Sequence, residues 1–370
     1  MSNHSYAYAM GRVRAVERKM LSQNQYDRMI ESRTAEDALH ILRENGYGGA
    51  GGPGGPDAQI EARGYESLLD YENEDLAAFI TDISPEPRLL KVFLLRYDYH
   101  NIKVLLKAEF LGGSGEPGKP GASDASGASG ASGGSSAPNT SGEHVLSRSG
   151  IIAPERLARI INERTLYSLP APMAEGIQEA IRAYRQSIAI QSPDPQSIDI
   201  KLDQAMYGHM LSEAAELGNP FVTKLIKIYI DLANIGAFLR MRNMRKDASF
   251  LRGALIEGGD VDHGVYARYL LDSPESFVNA MQHTPYSQLC EDGVKSFEAT
   301  GTLTVFERSA DNYVNSFAKK TKLYPIGLEL IAAYFVARQT ELKNIRIIMV
   351  GKINGIAQDI IRERLRESYV

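Results

Sequence analysis

The chain is written largely in helical period. Apolar residues return at i, i+3, i+4 and i+7 through Leu89–Leu95, through Phe221–Ile230 and through Leu328–Val336, the spacing that lines a helix face. Each run leads into the same short pattern: an acid, two variable residues, Asn, Ile, two variable residues and two apolar residues. The copies are Asp98-x-x-Asn101-Ile102, Asp231-x-x-Asn234-Ile235 and Glu341-x-x-Asn344-Ile345. Three copies in one chain are an internal repeat. On a helix, the acid, the Asn and the apolar residue four further on share a face. Asn is a mediocre helix former, because its side chain competes for main-chain hydrogen bonds. Its return at one place implies a partner for the amide: the expectation is a structural bond between helices of the same unit, and the alternative is a contact with a ligand or partner.

Between these runs the caps and breakers divide the chain. Tyr6 to Leu21 reads as an amphipathic helix carrying Met10, Val13, Val16 and Met20. Ser22 with Gln25 forms a capping box for a helix through Ile30, and Thr34 with Asp37 a looser one for Ala35 to Asn45, ended by Gly46. Helix resumes from Tyr65 to Ile83, breaks at Pro85 and Pro87, and continues to about Phe110. Pro154 opens a helix through Arg164. Met173 to Ile190 and Asp199 to Leu217 come next, and Gly218-Asn219-Pro220 turns into the second motif helix. Gly264 to Leu271 echoes Gln25 to Ile30, and Ser273-Pro274-Glu275 opens a helix as Thr34-Ala35-Glu36 does. Thr304 to Lys319, Pro325 to Val350 and a short charged helix from Asp359 to Tyr369 complete the chain. No stretch shows sustained strand alternation. The expected fold is all-α, with three similar helical domains in pseudo-threefold arrangement: residues 1–111, 143–256 and 257–370. Residues 112–142 are a Gly/Ser/Ala-rich insertion read as a flexible linker. That insertion accounts for the longer spacing between the first and second Asn.

Composition adds mostly exclusions. Hydrophobic content of 43% and charged content of 24% over 370 residues suit a globular chain with an ample core. A net charge of −5 gives no argument for nucleic acid. The single cysteine, Cys290, excludes a disulfide framework or cysteine metal cluster and reads as a small buried hydrophobe. No uninterrupted apolar run is long enough to span a bilayer. Arg12, Arg14, Arg18 and Lys19 precede no apolar core, so no secretory leader is expected. Asn139-Thr140-Ser141 matches a glycosylation sequon that is irrelevant without secretion. Gly113 to Lys119 mimics a phosphate-binding loop, but Pro120 stands where a hydroxyl would meet magnesium. No strand feeds that loop and no helix comes after it. Asp260, Asp262 and His263 suggest a metal only until Gly258-Gly259 marks them as a solvated loop. The seven histidines show no ligand spacing. The basic run Arg240, Arg242, Arg245 and Lys246 ends the second motif helix, where positive charge suits the helix dipole. It is also a candidate contact for an acidic partner.

Tyr6-Ala-Tyr-Ala-Met-Gly-Arg-Val-Arg-Ala-Val-Glu17, Leu94 to Lys103 and Ile360 to Val370 resemble the C subunit of the archaeal and bacterial V-type (A-type) ATP synthases, whose eukaryotic relative is the d subunit. The resemblance covers nearly the whole chain. The Gly-rich loop after Tyr47 and the 112–142 segment depart from the family pattern. The resemblance implies three helical domains forming a cone or funnel, with no catalytic residues, no bound nucleotide and no cofactor. It implies partners in the D and F subunits of the central stalk and in the cytoplasmic loops of a membrane proteolipid ring. The protein would be a peripheral rotor part on the cytoplasmic face of the cell membrane, serving ATP synthesis and ion transport. The alternative from a different class is a helical-repeat scaffold that binds a peptide or nucleic acid on a concave face.

Overall fold

The computed structural model describes residues 3–49, 61–111, 146–244, 246–324 and 326–370. The expectations for 112–142, including Lys119 and its loop, lie outside these residues, as do Arg245 and most of the glycine-rich loop after Tyr47. The described residues form α-helices and short 3-10 turns, with no strand among them, so the fold is all-α. In chain order the helices are α1 (Asn3–Glu17), α2 (Gln23–Glu31), α3 (Ala35–Glu44), α4 (Tyr65–Ile83), α5 (Arg88–Leu111), α6 (Pro154–Asn162), α7 (Ala171–Ala189) and α8 (Gln196–Leu217). Beyond them lie α9 (Pro220–Asn243), α10 (Ala248–Ala254), α11 (His263–Tyr269), α12 (Pro274–Met281), α13 (Ser287–Thr300), α14 (Thr304–Lys319), α15 (Leu328–Ile353) and α16 (Gln358–Arg364). They sort into two compact units. One joins both chain ends, residues 1–90 and 288–370, and the other is residues 91–287.

Most predicted boundaries hold, and each has its local cause. Gln25 Oε1 accepts from Ser22 N at 2.7 Å. Thr34 and Asp37 cap each other reciprocally, at 3.0 and 3.1 Å. Gly46 and Gly218 take positive φ, 87° and 69°, where the chain leaves α3 and α8. Three predicted ends run short. Helix α1 stops at Glu17 rather than Leu21, because a turn at Val16–Met20 delivers Leu21 N to Glu341. Helix α6 stops at Asn162, and Arg164 takes φ 57°. The C-terminal helix stops at Arg364 rather than Tyr369, because the main chain of Arg366 is bonded elsewhere. Helices α10 and α13 have no counterpart among the helices expected from the sequence. Gly293 argues against α13 on propensity; it lies against Phe306, close enough that a Cβ would crowd the ring.

In the unit of residues 91–287, α5 runs antiparallel to α8. Lys91, Lys103 and Lys107 meet Glu213, Asp203 and Asp199 at 2.5, 2.5 and 2.6 Å. The turn at Gly218 folds α9 back on α8, and Arg96 lies 5.4 Å over the Tyr229 ring. In the other unit α15 is the central rod, packed by α1, α2, α3, α4, α14 and α16. Its buried residues face all round the helix, which is why it shows no single apolar stripe. Leu342, Ile345, Ile348 and Met349 share one core with Tyr26, Met29, Ile30, Leu39 and Leu42. The two ends of the chain therefore build that core together.

Candidate functional site

All three motif asparagines are fully buried, and each makes the same pair of bonds. Asn101 donates from Nδ2 to Ser147 O at 2.8 Å, and its Oδ1 accepts from Ser147 N at 2.7 Å. Asn234 does the same with Ile256, at 2.8 Å both ways. Asn344 does it with Arg366, at 3.0 and 2.9 Å. The partner is not a neighbouring helix, as the sequence suggested, but one residue of non-helical chain further on. A carboxamide is the side chain that carries a donor and an acceptor in this geometry. Leaving either main-chain group buried without its partner would cost ~1–3 kcal/mol. That outweighs the few tenths lost by placing Asn inside a helix. The clamped residue lies 22 positions on in the second and third copies and 46 in the first, so the extra length of copy one sits between its Asn and the clamped residue.

The motif acids act on the next stretch of chain. Asp98 accepts from Ile151 N and Ile152 N at 3.2 and 3.0 Å. Asp231 accepts from Asp260 N and Val261 N at 2.9 and 3.0 Å, and from the Tyr286 hydroxyl at 2.8 Å. Glu341 accepts from Leu21 N at 2.5 Å. Ile152, Val261 and Leu21 each stand two residues before a helix begins: α6, α11 and α2. The third acid thus holds the start of the chain as the first two hold the segment beyond their own helices. Gly150 and Gly259 stand two residues before Ile152 and Val261. A Cβ on either would fall well inside contact with the Asp98 or Asp231 carboxylate. Lys19 has the corresponding place before Leu21, and there the acid is the longer glutamate.

A third contact recurs eight residues past each Asn. Arg242 donates to the carbonyls of Tyr269 and Leu270, at 3.1 and 3.2 Å, and to that of Asp272, at the end of α11. Lys352 donates to Ser32 O at 2.5 Å, at the end of α2. Glu109 pairs with Arg164, just past α6. Each motif helix therefore grips the lead-in and the far end of the same short helix. Arg242 was a candidate partner contact, but its guanidinium faces carbonyls of its own chain. Lys246 lies 4.8 Å over the Phe250 ring, and Arg240 is half-buried. The described part of the basic run is engaged largely with its own chain.

Electrostatics set the third copy apart. Arg338, one turn before Glu341, bonds to Glu341, to Glu72 at 2.5 Å and to the Tyr47 hydroxyl at 2.9 Å. Burial opposes its charge, but Glu341, Tyr47, Tyr334 and Glu72 outweigh that and hold it protonated. Burial raises the pKa of Glu72 despite Arg338. Asp98 has no such cation beside it among the described residues. Burial pushes its pKa up to about 6, against the pull of its two main-chain donors.

Groups that suggested chemistry are dispersed. Asp260 pairs with Lys224 and Lys227 at 2.5 and 2.9 Å, Asp262 caps α11, and His263 Nε2 lies 3.0 Å from Ile256 O. No cluster of metal-ligating side chains occurs among the described residues. Burial lifts the Cys290 thiol to about 12, which removes it as a nucleophile at neutral pH. No helix of the described residues is long and apolar enough to cross a membrane.

Comparison with known proteins agrees with this architecture. The model of the ATP synthase (C/AC39) subunit family matches residues 9–364. The chain belongs to that family. Among its relatives, the C subunit of the V-type sodium ATPase of Enterococcus hirae is 23% identical, with 96% of this chain and 97% of the relative covered. The C subunit of the A-type ATP synthase of Methanocaldococcus jannaschii is 23% identical, over 97% of this chain and 86% of the relative. That of Methanosarcina barkeri is 24% identical, over 98% and 92%. The C/AC39 family supplies a non-catalytic subunit to membrane-associated rotary ATPases, so this chain serves ATP synthesis and ion transport without an active site of its own.

Proposed function

We propose that this C/AC39 chain is a central-rotor part, a socket that couples the D–F stalk to the membrane proteolipid ring. It would lie on the cytoplasmic face of the cell membrane and touch the membrane through the ring. The proposed working parts are three helical repeats, residues 1–111, 143–256 and 257–370. The observation that carries the reading is the recurrence of one clamp at Asn101, Asn234 and Asn344. A body that transmits torque must resist shear between its parts. Each clamp ties a long buried helix to non-helical chain further on, the acid of the same motif holds the lead-in to a short helix, and dense packing around them resists compression. Family membership supports the rotary setting.

Stalk and ring contacts would be made by exposed polar surface, with several weak contacts adding in strength. The test is rotation in the assembled complex. A cysteine cross-link from this protein to the stalk should leave rotation running, and one to a stator part should stop it. Rotation that continues with the stator cross-link formed would overturn the proposal.

A further inference from the structure

The segment joining α14 to α15 has a chemistry that neither the clamps nor the core uses. Its 3-10 turn is Lys320–Leu323, and Lys319 precedes it. Lys319 and Lys320 pair with no carboxylate among the described residues, and Lys322 forms no direct ion pair, though Glu17 lies close enough to favour its charge. Lys91, Lys103, Lys107, Lys224, Lys227 and Lys343 all form ion pairs. Lys320 lies 5.8 Å over the Phe317 ring. Lys322 donates to Tyr369 O at 2.8 Å and lies 4.3 Å over the Tyr369 ring. Arg14 donates to the Lys322 carbonyl at 3.2 Å, so a fourth cation, shared with Glu17, stands against the turn. Three apolar side chains extend from the turn into water. Leu323 is 87% exposed, Tyr324 45% and Ile326 43%.

Isolated exposed apolar residues need no explanation, but three together beside lysines without a direct ion pair do. An acidic protein surface would satisfy the lysines and leave Leu323 wet. A purely apolar groove would strand the lysines. An anionic bilayer surface satisfies both, because phosphates meet the lysines, tyrosine sits at headgroup depth and short aliphatic side chains reach the acyl boundary. The buried rod α15 starts immediately beyond and gives the turn a rigid mount. We propose that the turn Lys320–Leu323, with Lys319, Tyr324 and Ile326, is a docking site for anionic lipid headgroups. The chain would then touch the bilayer directly as well as through the ring. The proposal deepens the rotor reading and rests on its placement of this chain beside a membrane.

The test uses the full chain alone with vesicles, so it is independent of coupling in the complex. Sedimentation should show binding to vesicles of phosphatidylcholine with phosphatidylglycerol and little to phosphatidylcholine alone. Lys319→Glu with Lys320→Glu should reduce partitioning about tenfold or more. Leu323→Ser with Tyr324→Ser should weaken it further at high salt, where the apolar part of the contact remains. Unchanged melting of both variants would show that the fold is intact. Absence of binding to anionic vesicles, or equal binding by the lysine variant, would overturn the proposal. So would variants that bind vesicles as the wild type does yet fail to assemble with the stalk, which would make the turn a protein contact.

Discussion

Two of the motif acids reach their main-chain targets as aspartates with a glycine opposite, and the third as a glutamate with a lysine opposite. The first two clamps lie within residues 91–287, where the chain itself runs on from motif helix to clamped segment. The third, at Glu341 and Asn344, joins the two ends of the chain. It has what the others lack: Arg338, linked to Glu341, Glu72 and Tyr47. At the same place one turn before the acid, the other copies carry Leu95 and Ile228, both buried. Where covalent continuity holds the clamped chain near its helix, neutral donors suffice: main-chain N–H groups for Asp98, and those with the Tyr286 hydroxyl for Asp231. Where the chain must close on its own start, a buried ion network adds fixed geometry. Such a network is weak evidence for stability, but removing one partner from it is expensive.

The largest expected effect comes from that asymmetry. Arg338→Met leaves Glu341 and Glu72 buried with no cation, and should destabilise the unit of the chain ends by ~3–5 kcal/mol in chemical denaturation. Leu95→Met, its positional counterpart, should change stability by less than about 1.5 kcal/mol, because the side chains are of similar volume. Equal losses would erase the distinction between the clamps.

Next in size are the asparagines. Asn234→Ala strands the buried N–H and C=O of Ile256 and should cost roughly 2–4 kcal/mol. Asn101→Ala and Asn344→Ala should cost the same within a factor of two. A tenfold spread in unfolding constant beyond that range would show that the three bond pairs are not equivalent.

The motif helices were legible because a polar residue recurring inside an apolar helix is conspicuous in a repeat. The clamped residues were not, because Ser147, Ile256 and Arg366 are gripped by their main chain and share no side-chain type. A signal was present nonetheless in Gly150 and Gly259, which mark where backbone passes close to a carboxylate. Arg338 gave no sign of its role, because its partners Glu72 and Tyr47 lie more than 260 positions away. The basic run at the end of α9 was conspicuous for its charge, yet Arg242 serves its own chain. Charge in a sequence does not say which way a side chain faces.

The glycine–acid relation can be tested by itself. Gly150→Ala should cost about 1–3 kcal/mol with Asp98 present, since the added methyl displaces a carboxylate held by two N–H groups. With Asp98→Glu the penalty should shrink by about 1 kcal/mol, because the longer side chain reproduces the third clamp's arrangement. Strict additivity in this double-mutant cycle would contradict the reading.

The smallest effect is a pH dependence. The raised pKa of Asp98 means that the folded state favours its protonated form. Its stabilising contribution is complete below the unfolded value near 4 and fades as pH rises through about 6. Stability should fall by roughly 1 kcal/mol between about pH 5 and pH 7 from this group. Asp98→Asn should remove that slope, and a variant with the wild-type pH profile would assign the slope elsewhere.

The central claim, that this chain couples the stalk to the ring, is tested most directly by ions moved per ATP hydrolysed. The measurement compares reconstituted vesicles of the rotary complex assembled with and without this protein. With it the ratio should be fixed and inhibition of ion flow should slow hydrolysis. Without it hydrolysis should continue with ion transport lost. Full coupling in its absence would contradict the account.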